Sequence, residues 1–442
     1  MKRIFDAYAY GEGPRSRCWW DETANSNLRP VFQQVARTDV AIIGAGFTGM
    51  SAALHLARAG VNVTVLDAER VGWGASGRNG GFCCLGGGMA SDATLDRRFG
   101  VEGRVDFRRT ELAAVQIVKS LIEENQLNVD RHSDGETMLA HRAKDMVALE
   151  VNAATLRQNY GVEHQLHSKA ELPELGMNGP FHGGLTIHAG FGLNPRKYLN
   201  GLAQAAEAAG ALIFEKSQVT KLEPQLDGWR LRTNGHALQA DQVIVATNGY
   251  SSDDLPSWLA GRYLPSQSNV IVTRPLTEDE LVSAGWTTDQ MAYDSRNLLH
   301  YFRLMPDRRF LFGMRGGLLT GKTSEVRATA KVRADFEEMF PAWRNIETTH
   351  NWSGLVCLAR EMLPFVGAVP AKEGLWAGMC YHGNGVAMGT YSGAILAQLV
   401  QGKKPEMLYP DAMRVPLRRF ELGRFRRALM PFAYAGYMLA DL

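Results

Sequence analysis

Three glycines and one acid carry the clearest chemical signal in this sequence. Gly44, Gly46 and Gly49 stand in GxGxxG spacing, and Asp67 ends the apolar stretch that follows them. In such a pattern the first glycine permits a tight turn, the second lets the backbone approach a pyrophosphate, and the third lets a helix pack closely on a strand. An acid in the place of Asp67 accepts hydrogen bonds from a ribose diol. The spacing therefore predicts a dinucleotide site that takes FAD or NAD rather than NADP.

The elements around these residues must be a strand, a helix and a second strand. Residues 40–57 are nearly free of charge, but glycines and polar residues interrupt the roughly 20 apolar residues that a membrane span needs. Residues 40–43 are typical of a buried strand, residues 50–57 have helical spacing of apolar side chains, and valines alternate over residues 61–65. This change of period favours a β-α-β unit over a membrane anchor, a buried helix or a glycine-rich core turn.

A second glycine-rich segment follows at residues 71–88, "VGWGASGRNGGFCCLGGG", which contains eight glycines. A chain so rich in glycine is disordered unless it wraps around something. Directly after the ribose-binding strand it is placed to lie along an extended cofactor. Ser76 and Arg78 would then reach phosphate oxygens, and the backbone of residues 79–82 would approach a flavin ring. The alternative is a flexible loop.

The composition is that of a soluble globular protein with two or three domains. The chain has 442 residues, 45% of them apolar and 21% charged, and its net charge of +2 gives no reason to expect a nucleic acid or an anionic membrane as partner. Five cysteines without CxxC spacing suggest neither a disulfide framework nor a zinc site, so no metal is expected. The first twenty residues have no apolar core typical of a signal peptide, which favours a cytoplasmic enzyme.

The segments "GAGFTGMSAALHLARAG" and "GASGRNGG" resemble the D-amino-acid-oxidase superfamily of FAD enzymes, and within it the γ-glutamylputrescine oxidase-like branch. The resemblance extends to "DQVIVATNGYSSDDLP", "HYFRLMPDRRFLFGMRGG" and "CYHGNGVAMGTYSGAILAQLVQGKKP". It implies an α/β fold, in which a Rossmann-like, glutathione-reductase-like FAD-binding domain carries a discontinuous α+β substrate domain built on an antiparallel sheet.

The predicted domains are discontinuous along the chain. The FAD-binding domain comprises residues 36–89, 181–256 and 351–405, and the substrate domain comprises residues 90–180 and 257–350. Residues 406–442 form a C-terminal segment, interpreted as a docked helix with membrane association as the alternative. Within the substrate domain, residues 90–139 are predicted to be helical.

The resemblance assigns cofactor contacts to four regions: the first glycine turn with its acid, the second glycine-rich segment, the chain returning to the adenine side, and the loop before the last helix. A helix N-terminus behind that loop would stabilise the negative charge of a reduced flavin, although the helix can also be a capped core helix. The predicted contacts are Gly44, Gly46, Phe47, Thr48, Gly49, Asp67, Ala75, Ser76, Arg78, Asn79, Gly80, Gly81, Phe82, Val219, Thr247, Gly249, Gly383, Asn384, Gly385 and Val386.

Candidate catalytic residues are Tyr301, Arg303 and His382. Alternation along the strand at residues 300–303 places Tyr301 and Arg303 on one face, and the resemblance implies that Tyr301 lines the substrate cavity. Arg303 either binds a substrate carboxylate or belongs to a surface pair. His382 either tunes the flavin or is a structural histidine. Trp352 and Tyr250 are candidates for an aromatic wall, with core packing as the alternative.

One departure from the superfamily bears on the substrate. Amino-acid oxidases of the superfamily carry Gly-Leu-Arg-Pro, whose arginine binds the α-carboxylate, whereas this chain has Gly354, Leu355, Val356 and Cys357. Val356 cannot bind a carboxylate, so an amine or polyamine-derived substrate is favoured over simple α-amino acids. The cysteine through which some relatives attach FAD corresponds to Gly354, which predicts non-covalent FAD.

The resemblance thus implies oxidation of a C–N bond by hydride transfer to FAD. The resulting imine would hydrolyse, and O₂ would reoxidise the flavin and yield peroxide. Alternatives are a flavin dehydrogenase that passes electrons to a carrier, a non-catalytic flavoprotein subunit and an NAD enzyme. The sequence does not predict the oligomeric state.

Overall fold

The computed structural model describes residues 1–25 and 27–441. Its strands are β1 (Ala36–Ile43), β2 (Val63–Leu66), β3 (Phe82–Cys83), β4 (Glu136–Leu139), β5 (His164–Ser168), β6 (Gly183–Ile187), β7 (Phe191–Gly192), β8 (Leu212–Phe214), β9 (Val219–Gln225), β10 (Gly228–Thr233), β11 (His236–Val245), β12 (Tyr263–Pro275), β13 (Met291–Asp294), β14 (His300–Leu304), β15 (Arg309–Arg315), β16 (Thr348–Ala359), β17 (Phe365–Ala368) and β18 (Leu375–Met379). Its α-helices are α1 (Phe47–Arg58), α2 (Asp92–Glu124), α3 (Asp145–Tyr160), α4 (Pro195–Ala208), α5 (Glu278–Ala284), α6 (Lys322–Met339), α7 (Ala387–Leu399), α8 (Asp411–Arg414) and α9 (Met430–Asp441).

The first sheet has the order β17-β18-β11-β1-β2-β8, with β10 and β9 added beside β11. Strand β1 runs parallel to both β2 and β11, and β2 runs parallel to β8. Apolar side chains of α1, α4 and α7 pack into one core on this sheet. The predicted β-α-β unit is therefore present, and the Rossmann-like parallel sheet is confirmed.

The second sheet has the order β16-β12-β15-β14-β13-β4-β6-β5 and is antiparallel except between β13 and β4. One of its faces is filled by an aromatic cluster that includes Trp286, Phe302, Phe310, Phe312, Phe336, Phe340 and Trp343. Helices α5 and α6 cover this cluster. The opposite face of the sheet is therefore left to line the site described below.

The helical prediction for residues 90–139 is wrong at its end. Helix α2 stops at Glu124, and residues 136–139 form β4, because they pair with β6 and β13, which lie far away in sequence. Gly135 has φ +79°, and a side chain there would overlap the carbonyl oxygen of Ile187. The pairing of β4 is thus decided by contacts that the local pattern does not contain.

Two strands of the second sheet lie in segments predicted for the FAD-binding domain. Strand β6 falls within residues 181–256, and most of β16 falls within residues 351–405. Helix α2, from a segment predicted for the substrate domain, packs instead against α7 on the first sheet. The domain boundaries remain a prediction, and these three elements pack with the sheet of the other predicted domain.

Helix α9 docks on the second sheet through polar contacts. The Tyr434 hydroxyl lies 2.6 Å from Ser266 Oγ, and the Asp441 carboxylate accepts hydrogen bonds from Asn297. Phe432 and Leu439 on this helix are exposed. Among the helices of the described residues, none combines the length and apolarity that crossing a bilayer would require.

Candidate active site

A single cavity of about 740 Å³ is lined by residues from both sheets and from the loops between them. Its floor is made by the glycine turn after β1, the glycine-rich segment before α2 and the loop before α7. Its roof is the open face of the second sheet. The cavity therefore joins the predicted cofactor contacts to the predicted catalytic strand.

Glycines allow close packing in the turn between β1 and α1 and in the first turn of α1. Gly44 has φ +107°, and a side chain at Gly49 would overlap the carbonyl oxygen of Gly44. A side chain at Gly46 would begin 2.8 Å from Ser76 Oγ, which accepts a hydrogen bond from the backbone N–H of Phe47. The start of α1 is thus bare backbone facing the cavity, which suits a pyrophosphate at a helix N-terminus.

Asp67 is held at the end of β2 by two backbone donors. Its Oδ2 accepts from the N–H of Ala45 at 2.7 Å, and its Oδ1 accepts from the N–H of Glu69 at 2.8 Å. Burial raises the pKa of this carboxyl to about 6, with smaller contributions from the neighbouring Glu215 and Glu69 carboxylates. Because Asp67 also lines the cavity, ribose hydroxyls can donate to its remaining lone pairs.

Arg78 is a buried guanidinium in the cavity wall. Its Nε donates to the carbonyl of Trp73 at 2.8 Å, and it lies over the rings of Trp73 and Tyr250. Its Nη2 has no hydrogen-bond partner among the described residues. Nearby, the amide nitrogen of Asn79 donates to the carbonyls of Ala75 and Ser76. Asn79 thus braces the loop, whereas Arg78 retains a donor for an anionic group.

The roof consists of alternating residues on neighbouring strands. Tyr293 of β13 pairs with Tyr301 of β14, which pairs with Gly313 of β15. Glu136, Met138, Ser268 and Arg315 also reach the cavity from β4, β12 and β15. Side chains on the opposite face, such as Phe302 and Phe312, enter the aromatic core instead. The period of two therefore separates site residues from core residues.

Tyr301 lies between two glycines. A side chain at Gly80 or at Gly313 would overlap its ring, and Phe82 meets the ring edge to face at 5.7 Å between centroids. The hydroxyl is 2.9 Å from Ser268 Oγ. Burial raises the pKa of Tyr301 above its ordinary value of 10.0, so the phenol is neutral at physiological pH. The predicted position of Tyr301 in the cavity agrees with this placement.

His382 is a structural histidine in the loop before α7. Its Nε2 accepts from the N–H of Ala359 at 3.1 Å, which leaves Nδ1 to donate to the carbonyl of Gly87 at 3.3 Å. Burial lowers its pKa to about 4, so the imidazole is neutral. Both ring nitrogens are occupied, and the residue positions the loop of Gly383 and Asn384 although it also borders the cavity. The structural alternative fits this geometry.

Arg303 does not reach the cavity. Its side chain is fully buried, with Nη2 donating to the carbonyl of Leu193 at 2.8 Å and Nη1 donating to Nε2 of His132 at 2.9 Å. Burial lowers the pKa of Arg303 to about 9 and that of His132 to about 3. Both alternatives for Arg303 therefore differ from what the structure shows, because the guanidinium does not line the cavity and does not form a surface ion pair. Instead, it holds the chain before α4.

Most of the predicted cofactor residues do border the cavity. Gly49, Gly81 and Gly249 do not, since they serve close backbone packing against Gly44, Leu193 and Leu355. The predicted residues that line it are Gly44, Gly46, Phe47, Thr48, Asp67, Ala75, Ser76, Arg78, Asn79, Gly80, Phe82, Val219, Thr247, Gly383, Asn384, Gly385 and Val386.

The sequence reasoning missed the charged residues of the roof, Glu136 and Arg315, and the aromatic Tyr293. Glu136 lay in a segment predicted to be helical, so its strand alternation was not considered. Arg315 ends the strand "RFLFGMR", whose period of two would have placed it with Gly313 on the Tyr301 face. Trp352 is buried in a small apolar core, and its indole donates to the carbonyl of Arg78 at 2.7 Å.

A largely parallel sheet that presents a GxGxxG turn and an acid to a cavity is typical of dinucleotide-binding proteins. The family model for DAO, described as FAD dependent oxidoreductase, matches residues 39–399. The chain therefore belongs to the DAO family of FAD-dependent oxidoreductases, and FAD is its cofactor. Gly354, at the position predicted for covalent attachment, offers no thiol.

Relatives match along nearly the whole chain. A probable oxidoreductase, OrdL, of Rhizobium meliloti is 31% identical over 96% of this chain and 97% of its own length. The γ-glutamylputrescine oxidoreductase of Escherichia coli is 28% identical over 91% of this chain and 92% of its own. The crystal structure of glycine oxidase from Geobacillus kaustophilus superposes with a TM-score of 0.70 at 20% identity, covering 86% of this chain and 98% of that one. This last likeness shows the fold.

Proposed function

We propose that the protein oxidises a C–N bond of a small amine or amino-acid derivative and that O₂ accepts the electrons. The observation that supports this proposal is the continuity of the cavity, which runs from Asp67 and the glycine turn to the Tyr301 face of the roof. FAD supplies the two-electron acceptor for the hydride when it is bound. The residues of the chain have to bind, orient and desolvate the substrate.

The roof suits an amine that reacts without an acid–base triad. Tyr301 presents a neutral phenol held by Ser268, and the aromatic rings of Tyr293 and Phe82 stand beside it in the cavity wall. These groups exclude water around the reacting carbon and fix the direction of one hydroxyl donor. The amine must be neutral before it loses a hydride, so an acceptor for the ammonium proton is required.

The substrate is proposed to be an amine or a polyamine derivative rather than a simple α-amino acid. Val356, in place of the arginine of the superfamily, lines the cavity and cannot bind a carboxylate. The relative named for γ-glutamylputrescine covers almost the same span of chain as the present protein. We therefore place γ-glutamylputrescine and related monosubstituted diamines first among the candidates.

The test is an anaerobic screen of the purified, FAD-loaded protein. Flavin absorbance at about 450 nm should be bleached by a putrescine derivative faster than by N-methylated amino acids, ω-amino acids or α-amino acids. Air should then restore the colour with release of peroxide. A best substrate among plain α-amino acids would contradict the inference from Val356. Bleaching without peroxide release would indicate a dehydrogenase, and no bleaching by any amine would indicate a non-catalytic flavoprotein.

A further inference from the structure

The Arg315 side chain is a cation without a partner on the roof of the cavity. It ends β15, lines the cavity, and forms neither a hydrogen bond nor an ion pair with any of the residues that the structure describes. A side chain at Gly383 would begin 2.8 Å from its Nη2, so the guanidinium lies against the bare backbone of that loop. A partly buried charge of this kind is costly unless a ligand pairs with it.

Glu136 supplies a carboxyl group on the same roof, which a bound ammonium group would keep ionised. Its side chain is 4% exposed, it lines the same cavity, and among the described residues its hydrogen-bonding neighbour is the Cys84 thiol, which is a weak donor. Burial raises the pKa of this carboxyl to about 7, and the positive charge of Arg315 opposes that rise. The two groups influence each other electrostatically but do not form an ion pair.

The register of the sheet sets the two charges on opposite sides of the tyrosines. Three strand-to-strand steps separate β4 from β15, about 14 Å across the sheet. The register also sets Glu136 level with Leu311, so Arg315 lies four residues, or about 13 Å, further along β15. Tyr293 and Tyr301 stand on the two strands between them. The charged ends lie nearer to each other than the backbones do, because both side chains are long and each charge shifts the pKa of the other group. A ligand with two opposite charges would lie between them.

Arg315 is also displaced from the place of the missing superfamily arginine. Arg315 is paired with Ser268, and Ser268 is paired with Gly354, two residues before Val356. The two strand steps amount to about 10 Å. A carboxylate bound by Arg315 would therefore enter from another edge of the cavity than the α-carboxylate of a simple amino acid.

We propose that Arg315 and Glu136 bind a zwitterionic substrate, with the guanidinium holding a carboxylate and the Glu136 carboxylate holding an ammonium group of the same molecule. This inference rests on the proposed function, since it names the substrate class of that site. A diamine acylated by an amino acid meets the requirement, because it carries a carboxylate and an ammonium group in addition to the amine that reacts.

The test compares two probes that share the reacting end. γ-Glutamylputrescine carries the zwitterion, and N-acetylputrescine has a neutral acyl group in its place. In the native enzyme KM should be lower for γ-glutamylputrescine by about 10- to 150-fold, the range for hydrogen bonds to charged groups. Arg315→Met and Glu136→Gln should each reduce this ratio about tenfold or more, mainly through the KM of the zwitterion, while kcat changes less.

Two further variants make the comparison specific. Arg315→Lys keeps the charge and should recover part of the ratio, which a purely structural role would not produce. Arg308→Met removes a surface guanidinium that pairs with Glu278 and should leave the ratio at the native value. Once the anaerobic screen shows that 5-aminopentanoate does not bleach the flavin, calorimetric titration with it gives a readout without turnover, and its binding should weaken in Arg315→Met and in Glu136→Gln.

The outcomes separate this inference from the proposed function. Equal KM ratios in the native protein and in Arg315→Met would overturn the anchoring pair while leaving amine oxidation intact. Loss of FAD from Arg315→Met with an unchanged ratio would assign the guanidinium to the cofactor instead. If neither probe is oxidised but 5-aminopentanoate still binds through Arg315 and Glu136, the anchoring pair stands and the oxidation is wrong.

Discussion

Single residues on the roof and floor of the cavity divide into groups that face the ligands and groups that hold the backbone. Tyr301 and Asp67 face the cavity. In contrast, the side chains of Arg303 and His382 form hydrogen bonds that hold neighbouring loops in place. Residue type alone did not separate these roles, since an arginine or a histidine near a flavin suits either one. Hydrogen-bond partners decide between them.

Replacement of Tyr301 by Phe should slow substrate reduction and leave FAD bound. The variant keeps the ring between Gly80 and Gly313 and loses the hydroxyl bonded to Ser268. One hydrogen bond is worth about 1 kcal/mol, so a decrease of roughly 5- to 10-fold in the anaerobic reduction rate is expected. Tyr434→Phe, which removes a hydroxyl bonded to Ser266 outside the cavity, is the matched control. An unchanged rate would remove Tyr301 from the substrate site.

The affinity of the apoprotein for FAD should fall as the pH drops through about 6. The pKa of Asp67 is raised to about 6, so above this value the carboxylate is ionised and accepts from the ribose hydroxyls, and below it the acid is protonated. Below this pH the affinity for FAD should fall by about tenfold per pH unit, because protonation of Asp67 competes with FAD binding. Quenching of FAD fluorescence on titration with apoprotein measures this, and Asp67→Asn should bind more weakly and lose the dependence. A flat affinity across this range would contradict the role of Asp67.

At the scale of elements, α1 packs closely on β1, and this packing leaves the backbone of the glycine turn free to approach a pyrophosphate. Gly49 packs on the carbonyl of Gly44 and on the side chain of Ile42, and Gly393 of α7 packs in the same way on the backbone of α1 at Thr48. These helices therefore pack with backbone against backbone. The predicted β-α-β unit is a property of this segment because its sterics are local.

Replacement of Gly49 by Ala should destabilise the apoprotein and abolish FAD binding. The new methyl group would overlap the carbonyl oxygen of Gly44, so α1 must move away from β1. Forced overpacking of this kind costs about 1 to 3 kcal/mol, which should lower the melting temperature by several degrees. Gly436→Ala in α9, where nothing lies within 4 Å of the new methyl group, is the control. A variant that melts normally and retains FAD would contradict this account.

At the scale of the whole molecule, the site exists because two sheets built from interleaved segments close on one cavity. Strands β4 and β6 belong to the second sheet, but in the chain they lie between α2 and α4, which pack on the first sheet. Strand β16 belongs to the roof, and the chain then returns to β17 and β18 of the first sheet. The predicted cofactor contacts belong to the first sheet and its loops, and the charged and aromatic roof belongs to the second.

The sequence by itself determined the Rossmann-like unit and the FAD family, and most of the residues that it predicts for the cofactor line one cavity with Tyr301. These depend on steric limits and alternation over a few adjacent residues, which the chain carries locally. Only the tertiary structure decided that Arg303 is buried and donates to the backbone before α4, that residues 136–139 form a strand, and that Arg315 and Glu136 share the roof. Those facts depend on pairing between strands distant in sequence, and a local pattern contains no information about which strands will meet.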